Sequence, residues 1–456
     1  MKIFICTFLQ GASLFFLNSC SAQKPMQILE TKAIDEPIAT STENGLELQE
    51  LYRSHAYAKD ISGALALPKK IYFYGFEKPE TASPLKSTLE EYDIETHKTN
   101  SLYDSIFSDN KIALAVCGLF QIDDQRIAIF TIENKRINSL ENLLGGDLIL
   151  YVYNSNTRTV EKKVLIFLSQ YNENNLNDAG KADWVVYSRH AIKALHHTNT
   201  NYRFVIQRLG GMSIFNLKKN TFDVEFLPGF IRRSAEDILL TRDFSISSDE
   251  NTQSSFITVG VFKDSFENPE VSKSIDFSLS PEQIVTFEIN EEGKSSLHSL
   301  SASLDSKENA LIPSSKTVKH GHYFVSPAKS KESMFSLYSI LNEKVLDLSF
   351  DPNTFSKIGI NDYISLGDQK YLFTGTANYE QASTGSLMKD GDLFVALVVN
   401  GHIAKHVQLA TKLHDGGDIL LESSTGEIFL FGRIAGPLTH SRHRQNTLAL
   451  YKINLY

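Results

Sequence analysis

Three stretches near the end of the chain decide its architecture. The first is Asp362-Tyr-Ile-Ser-Leu-Gly-Asp-Gln-Lys-Tyr-Leu-Phe-Thr-Gly375. The second is Gly391-Asp392-Leu-Phe-Val-Ala-Leu-Val-Val-Asn400-Gly401, and the third is Gly416-Gly417-Asp418-Ile-Leu-Leu-Glu-Ser-Ser-Thr425-Gly426-Glu-Ile-Phe-Leu-Phe-Gly432. Each is a short run of aliphatic, aromatic and β-branched residues ended by turn chemistry. Asn400-Gly401 suits the two positive-φ positions of a type I′ hairpin, and Thr425-Gly426 marks a second tight turn. Strand, turn, strand, longer loop, strand, turn, strand describes one antiparallel four-stranded unit over 358–410. The run from Asp418 begins another.

Working outward, residues 112–168 repeat that order, with strands at 112–121, 126–131, 147–153 and 160–169. Both units carry Gly-Asp before the third strand, at Gly146-Asp147 and Gly391-Asp392. Weaker copies lie between them at 184–227, 237–300 and 320–350. The last unit, with strands at 418–423, 427–432 and 447–455, stops one strand short. A ring of sheets has to close, and a strand from the N-terminal part of the chain would fill the gap and leave no open edge. Ile71–Phe76 is the expected donor. Leu46 to Tyr57, with apolar residues at 46, 48, 51 and 52, reads as weakly helical, and 77–110 as a polar connection. The expected fold is therefore an all-β, six-bladed antiparallel β-propeller, with seven blades as the alternative.

The segment Gly391-Asp392-Leu-Phe-Val-Ala, then Gly416-Gly417-Asp418 and Gly426-Glu-Ile-Phe-Leu-Phe-Gly432, resembles the blade repeats of bacterial secreted β-propellers. Those repeats run Gly-Asp, a Phe-Val-Ala-like strand, a Gly turn, Gly-Gly, and Gly-x-Ile/Val-Tyr-Val-x-Gly. The resemblance covers about 45 residues well and 112–168 in part. It implies a fold and no particular activity.

The start of the chain bears on its address. Met1-Lys2 precedes an apolar run from Ile3 to Leu17, the length of a signal-peptide core and too short for a membrane span. The run ends in Leu17-Asn18-Ser19-Cys20, which resembles the lipobox of bacterial lipoproteins and would make Cys20 the lipidated first residue. A secretory signal cut after Ala22 is the alternative. The implied organisation is a lipoprotein signal peptide over 1–19, a tether with a possible short helix over 20–65, and the propeller over 66–456. The address is a diderm bacterial envelope, at the outer membrane, with a secreted or periplasmic protein as the alternative. The membrane is then met only through the N-terminal lipid.

With 456 residues, 42% of them hydrophobic and 22% charged, the chain can bury a core of this size. Its formal charge of -9 argues against nucleic acid as a partner. Cys117 lies in the apolar run Ala-Leu-Ala-Val-Cys-Gly-Leu-Phe and reads as a small buried hydrophobe, so stability must come from burial rather than disulfides.

Histidines supply the only clustered candidates for chemistry. His320, His322, His414, His440 and His443 fall in loops that the blade assignment places on one face, joined by Arg442 and Arg444. Such a face could gather imidazoles for metal or acid–base work, or use its arginines to hold an anionic group. Solvated loop residues explain the same pattern, and no fixed ligand spacing supports a site, so neither metal nor cofactor is expected. Asp390-Gly391-Asp392 and Asp415-Gly416-Gly417-Asp418 read as turns, because they lack the ligand positions of a calcium loop. No nucleophile elbow, phosphate-binding loop or dinucleotide fingerprint is present. Two functions stay open: a module binding a protein or surface glycan through one loop face, and a propeller enzyme, a polysaccharide lyase or hydrolase, working from its histidines.

Overall fold

The computed structural model describes residues 45–54, 59–77, 86–107, 113–134, 147–167, 192–195, 200–208, 211–227, 231–232, 244–249, 254–261, 283–300, 309–311, 318–319, 322–327, 334–339, 344–350, 358–367, 369–378, 380–381, 388–389, 391–409, 415–438 and 444–456. Among these residues, apart from one four-residue helix, Tyr103–Ile106, the regular structure is strand. Among the described residues no helix is long and apolar enough to cross a membrane.

The strands form an antiparallel β-propeller. All six units read from the sequence are blades: 113–167 (blade 2), 192–226 (blade 3), 244–300 (blade 4), 309–349 (blade 5), 358–409 (blade 6), and the last unit with its N-terminal donor (blade 7). One further four-stranded sheet, blade 1, joins them. Its strands are Lys59–Ala66, Lys70–Glu77, Lys86–Asp93 and Lys98–Ser101. Among the described residues the strand pairings thus give seven sheets of four or five strands, the alternative count, beside one two-stranded pair of Glu380–Gln381 with Met388–Lys389. The extra blade occupies the stretch read as one strand and a polar connection. Its third strand, Lys-Ser-Thr-Leu-Glu-Glu-Tyr-Asp, is nearly all polar, yet Ser87, Thr88, Glu90 and Glu91 are buried between blades. Hydropathy cannot find a strand whose buried face is polar.

Ring closure uses an N-terminal strand, but not Ile71–Phe76, which lies in the second strand of blade 1. The donor is Leu46–Arg53, the stretch read as helical. It pairs antiparallel with Arg444–Leu455, from Leu46 opposite Leu455 to Arg53 opposite Ala449. The register shifts between Glu50 and Tyr52. Such a bulge breaks a period of two, so apolar residues at 46, 48, 51 and 52 mimic a helical stripe. The propeller therefore begins at Leu46 rather than at residue 66.

Adjacent blades meet through apolar clusters. Among the described residues these join blades 7 and 1, 1 and 2, 2 and 3, 3 and 4, 5 and 6, and 6 and 7. Between blades 4 and 5 the short strand Val318–Lys319 lies parallel against Phe244–Asp249, the first strand of blade 4. The predicted hairpin at Asn400-Gly401 has positive φ at both residues, 50° and 81°, as a type I′ turn requires. Gly417 has a packing reason: a Cβ there would lie 1.8 Å from Thr374 Oγ1 of blade 6.

Candidate functional site

Strand direction alternates within each blade, so the ring has two distinct rims. Turns from first to second strand and from third to fourth strand lie on one rim. Most are short: Asp123 in blade 2, for example, accepts from the backbone N–H of Gln125 and Arg126 at 2.9 and 2.8 Å, and holds Arg126 Nε at 2.7 Å. The strand ends of the far rim lead mostly into segments outside the described residues. Gly45, where the chain enters the ring, is on the tight-turn rim. Its carbonyl accepts from Tyr456 N at 2.8 Å.

First strands surround a cavity of about 510 Å³. Five blades contribute to its wall, through 63–66 of blade 1, 118–123 of blade 2, 192–194 of blade 3, Ile246 of blade 4, and Ile419, Leu421 and Glu422 of blade 7. These are mainly the later halves of the first strands, which places the cavity toward the tight-turn rim. Much of its wall is apolar, while Gln121, Lys193 and Glu422 bring an amide, a cation and a carboxylate to it. Gln121 and Glu422 are half-exposed, so solvent reaches the wall. Lys193 is buried; its ammonium donates to the carbonyl of Phe244 and lies 4.5 Å from the centre of that ring.

Several other buried charged groups bind blade to blade. Glu91 of blade 1 accepts from Tyr72 OH at 2.9 Å and Lys70 Nζ at 3.0 Å, and from Arg158 of blade 2 at 2.9 Å. Burial, reinforced by the Glu91 charge, pushes the Tyr72 hydroxyl well above its ordinary pKa. Arg203 of blade 3 donates to the carbonyls of Asn290 and Glu291 of blade 4, each at 2.9 Å, and burial lowers its pKa. Arg433 of blade 7 donates to Asp418 at 2.6 Å and lies 3.9 Å from Asp60 of blade 1; the Asp418 charge raises its pKa. Asp362 of blade 6 accepts from the backbone of Leu420 of blade 7 at 2.8 Å. All of these tie strands together, a role for carboxylates and guanidinium groups that spacing in the sequence could not reveal.

Of the residues singled out from the sequence, Cys20, His320, His414, His440, Arg442 and His443 lie outside the described residues. His322 opens the second strand of blade 5 and Arg444 the third strand of blade 7. Second strands begin at the tight-turn rim and third strands at the far rim, so these two positions are at opposite ends of the ring. Cys117 is buried, and burial drives its thiol pKa up, as befits a small hydrophobe. Asp392 accepts from Asn378 Nδ2 at 2.9 Å and Asp418 is held by Arg433. Among the described residues no group of three or more His, Cys, Asp or Glu could hold a metal ion.

No family model matches the chain, and no curated protein matches it. Among solved structures it is similar to YCF48 bound to D1 peptide, at 12% identity over 93% of this chain and 99% of that one, with a TM-score of 0.45. The Dos1 propeller is similar at 9% identity, over 89% and 95% of the two chains, with a TM-score of 0.43. Acylaminoacyl peptidase of Pyrococcus horikoshii is similar at 9% identity, over 86% of this chain and 51% of that one, with a TM-score of 0.42. Neither activity nor partner follows from likeness at these values.

Proposed function

We propose that the protein is a lipid-anchored binding module of a bacterial envelope, tethered through Cys20 and engaging a protein or surface glycan with the far rim of its ring. The lipobox-like Leu17-Asn18-Ser19-Cys20 and the likeness of 391–432 to secreted propeller repeats support the address. The observation that carries the reading is the entry of the chain at Gly45 on the tight-turn rim, beside the outermost strand of blade 7. An anchor upstream of Gly45 joins the ring at the opposite rim, so its attachment leaves the far rim unobstructed. Arg444 opens its strand on that rim, next in sequence to His440, Arg442 and His443.

Two measurements test this. Cys20→Ala is expected to move the protein from the membrane fraction to the soluble fraction, and unchanged fractionation removes Cys20 as the anchor. A photocrosslinker at Lys86, an exposed far-rim position, is expected to trap a partner in cells; one at Lys69, on the tight-turn rim, is expected to trap none. The reverse pattern sinks the assignment of the binding rim.

The cavity favours a second reading, a propeller enzyme acting on polysaccharide, because Gln121, Lys193 and Glu422 converge on one concave space. That reading requires turnover of an envelope polysaccharide that is lost in Glu422→Gln. A turnover that survives this change and Lys193→Met excludes the cavity as its site.

A further inference from the structure

Leu46–Arg53 closes the ring and is also the strand through which the chain enters it, so any load on an anchor passes through it first. Both of its ends are pinned to neighbouring blades. At the entry end, Gly45 O accepts from Tyr456 N at 2.8 Å and from Lys405 Nζ of blade 6 at 3.3 Å, and Lys405 also donates to Tyr456 O. Glu47 accepts from Tyr456 OH at 3.0 Å. At the other end, Ser54 N donates to Leu448 O at 2.8 Å, and Ser54 Oγ accepts from Leu448 N at 3.0 Å. Tyr92 OH of blade 1 donates to Leu51 O at 3.0 Å. Leu46 and Leu48 are buried in the core between blades 6 and 7, and Leu51 and Tyr52 pack on the core between blades 7 and 1. One eight-residue strand thus holds two seams as well as its own blade.

Direction decides what such a strand withstands. Antiparallel ladder bonds lie perpendicular to the strands, so a pull along the strand loads all the pairs from Leu46–Leu455 to Arg53–Ala449 together. A pull across the strand opens them one at a time, starting at Leu46–Leu455. The strand runs from the tight-turn rim toward the far rim. Tension between an anchor upstream of Gly45 and a partner on the far rim therefore acts along it.

We propose that Leu46–Arg53 is a force-bearing latch, which keeps the ring shut under tension from rim to rim and peels open under tension applied from the tight-turn side. The physiological role rests on the anchored reading above; the mechanical property does not.

Single-molecule pulling tests it on the unlipidated chain from Cys20 onward. Cys20 serves as one handle, and Lys86→Cys on the far rim or Lys69→Cys on the tight-turn rim as the other; both lysines are exposed and belong to blade 1, while Cys117 is buried. The first rupture should require at least about twice the force with the far-rim handle. In both geometries it should release the chain over 45–53, about 30 Å at roughly 3.3–3.6 Å per residue. Leu46→Ala with Leu48→Ala should lower the first rupture force with the far-rim handle and leave later events unchanged. Equal forces in the two geometries, or a first event that frees a different length, overturns the latch. Membrane fractionation of Cys20→Ala judges the anchor separately, so the two ideas fail by different results.

Discussion

The seam between blades 6 and 7 and the seam between blades 1 and 2 both have an apolar core, but they differ in what else joins the sheets. At the first, close approach is made by removing atoms: Gly417 leaves room for Thr374, and Leu393, Val395, Leu420 and Leu430 fill the interface. Asp362 then fastens the two first strands through the backbone of Leu420. At the second, a carboxylate is placed inside. Glu91 is wholly buried and satisfied by Tyr72, Lys70 and Arg158. A glycine-and-leucine seam depends on volume, whereas a buried carboxylate depends on its partners, because an unsatisfied charge in a dry site is costly. The same ring is therefore sensitive to different substitutions on its two sides.

The largest effect should come from opening the ring, which breaks the 6–7 seam without touching 1–2. Removing residues 21–44 is expected to leave the melting temperature unchanged. Extending the deletion through Arg53 removes Leu46 and Leu48 from the core and bares the edge of Arg444–Leu455. Loss of cooperative unfolding, or aggregation, should follow in thermal denaturation. A melt like that of the full chain would mean that closure contributes little.

Next comes the ionic seam. Glu91→Ala strips three donors of their common acceptor and is expected to cost about 3 kcal/mol, the lower part of the range for breaking a buried ion pair, since the Arg158 and Lys70 side chains keep some access to water. Denaturant unfolding measures it. A cost under about 1 kcal/mol would show that water replaces the carboxylate without penalty.

Gly417→Ala probes the other seam at matching depth. Its Cβ would sit 1.8 Å from Thr374 Oγ1 and 3.1 Å from Thr374 Cβ, so a strand or the threonine must move. Overpacking of this kind costs about 2 kcal/mol. Pairing it with Thr374→Ala, which also removes a bond to Phe394 O of 2.9 Å, should recover part of the loss if the clash is the cause.

The contrast between the seams also explains what could be read from the chain. Blades 6 and 7 were legible because glycines, tight turns and apolar runs leave local signatures: Asn400-Gly401 is a type I′ turn in both sequence and structure. Blade 1 was not, because the residues that bury its third strand are Ser87, Thr88, Glu90 and Glu91, and polar burial is invisible until the neighbouring blade is in place. The closing strand was disguised by its bulge at Leu51. The cavity could not be seen either, since Gln121, Lys193 and Glu422 are brought together only by the ring. Histidine clustering, the strongest local signal for chemistry, falls mostly outside the described residues, and the two described members of the candidate face, His322 and Arg444, sit at opposite rims.

The smallest effect should come from the outer partner of the ionic seam. Arg158 sits in the turn between the third and fourth strands of blade 2, at φ 56°, with its side chain 56% exposed. Removing it leaves Glu91 with Tyr72 and Lys70, and water can reach the side that the guanidinium vacates. Ion pairs of this exposure are worth at most about 1 kcal/mol and weaken with salt. Replacing a positive-φ arginine by glycine would also relieve backbone strain, so Arg158→Lys and Arg158→Asn are the cleaner variants: lysine keeps the charge, and asparagine tolerates the left-handed conformation. Each is expected to cost under about 1 kcal/mol at low salt, with the Arg158→Asn cost shrinking as salt rises. If Arg158→Asn instead costs as much as Glu91→Ala and ignores salt, the arginine is the keystone of the seam. The carboxylate would then be buried only because Arg158 covers it.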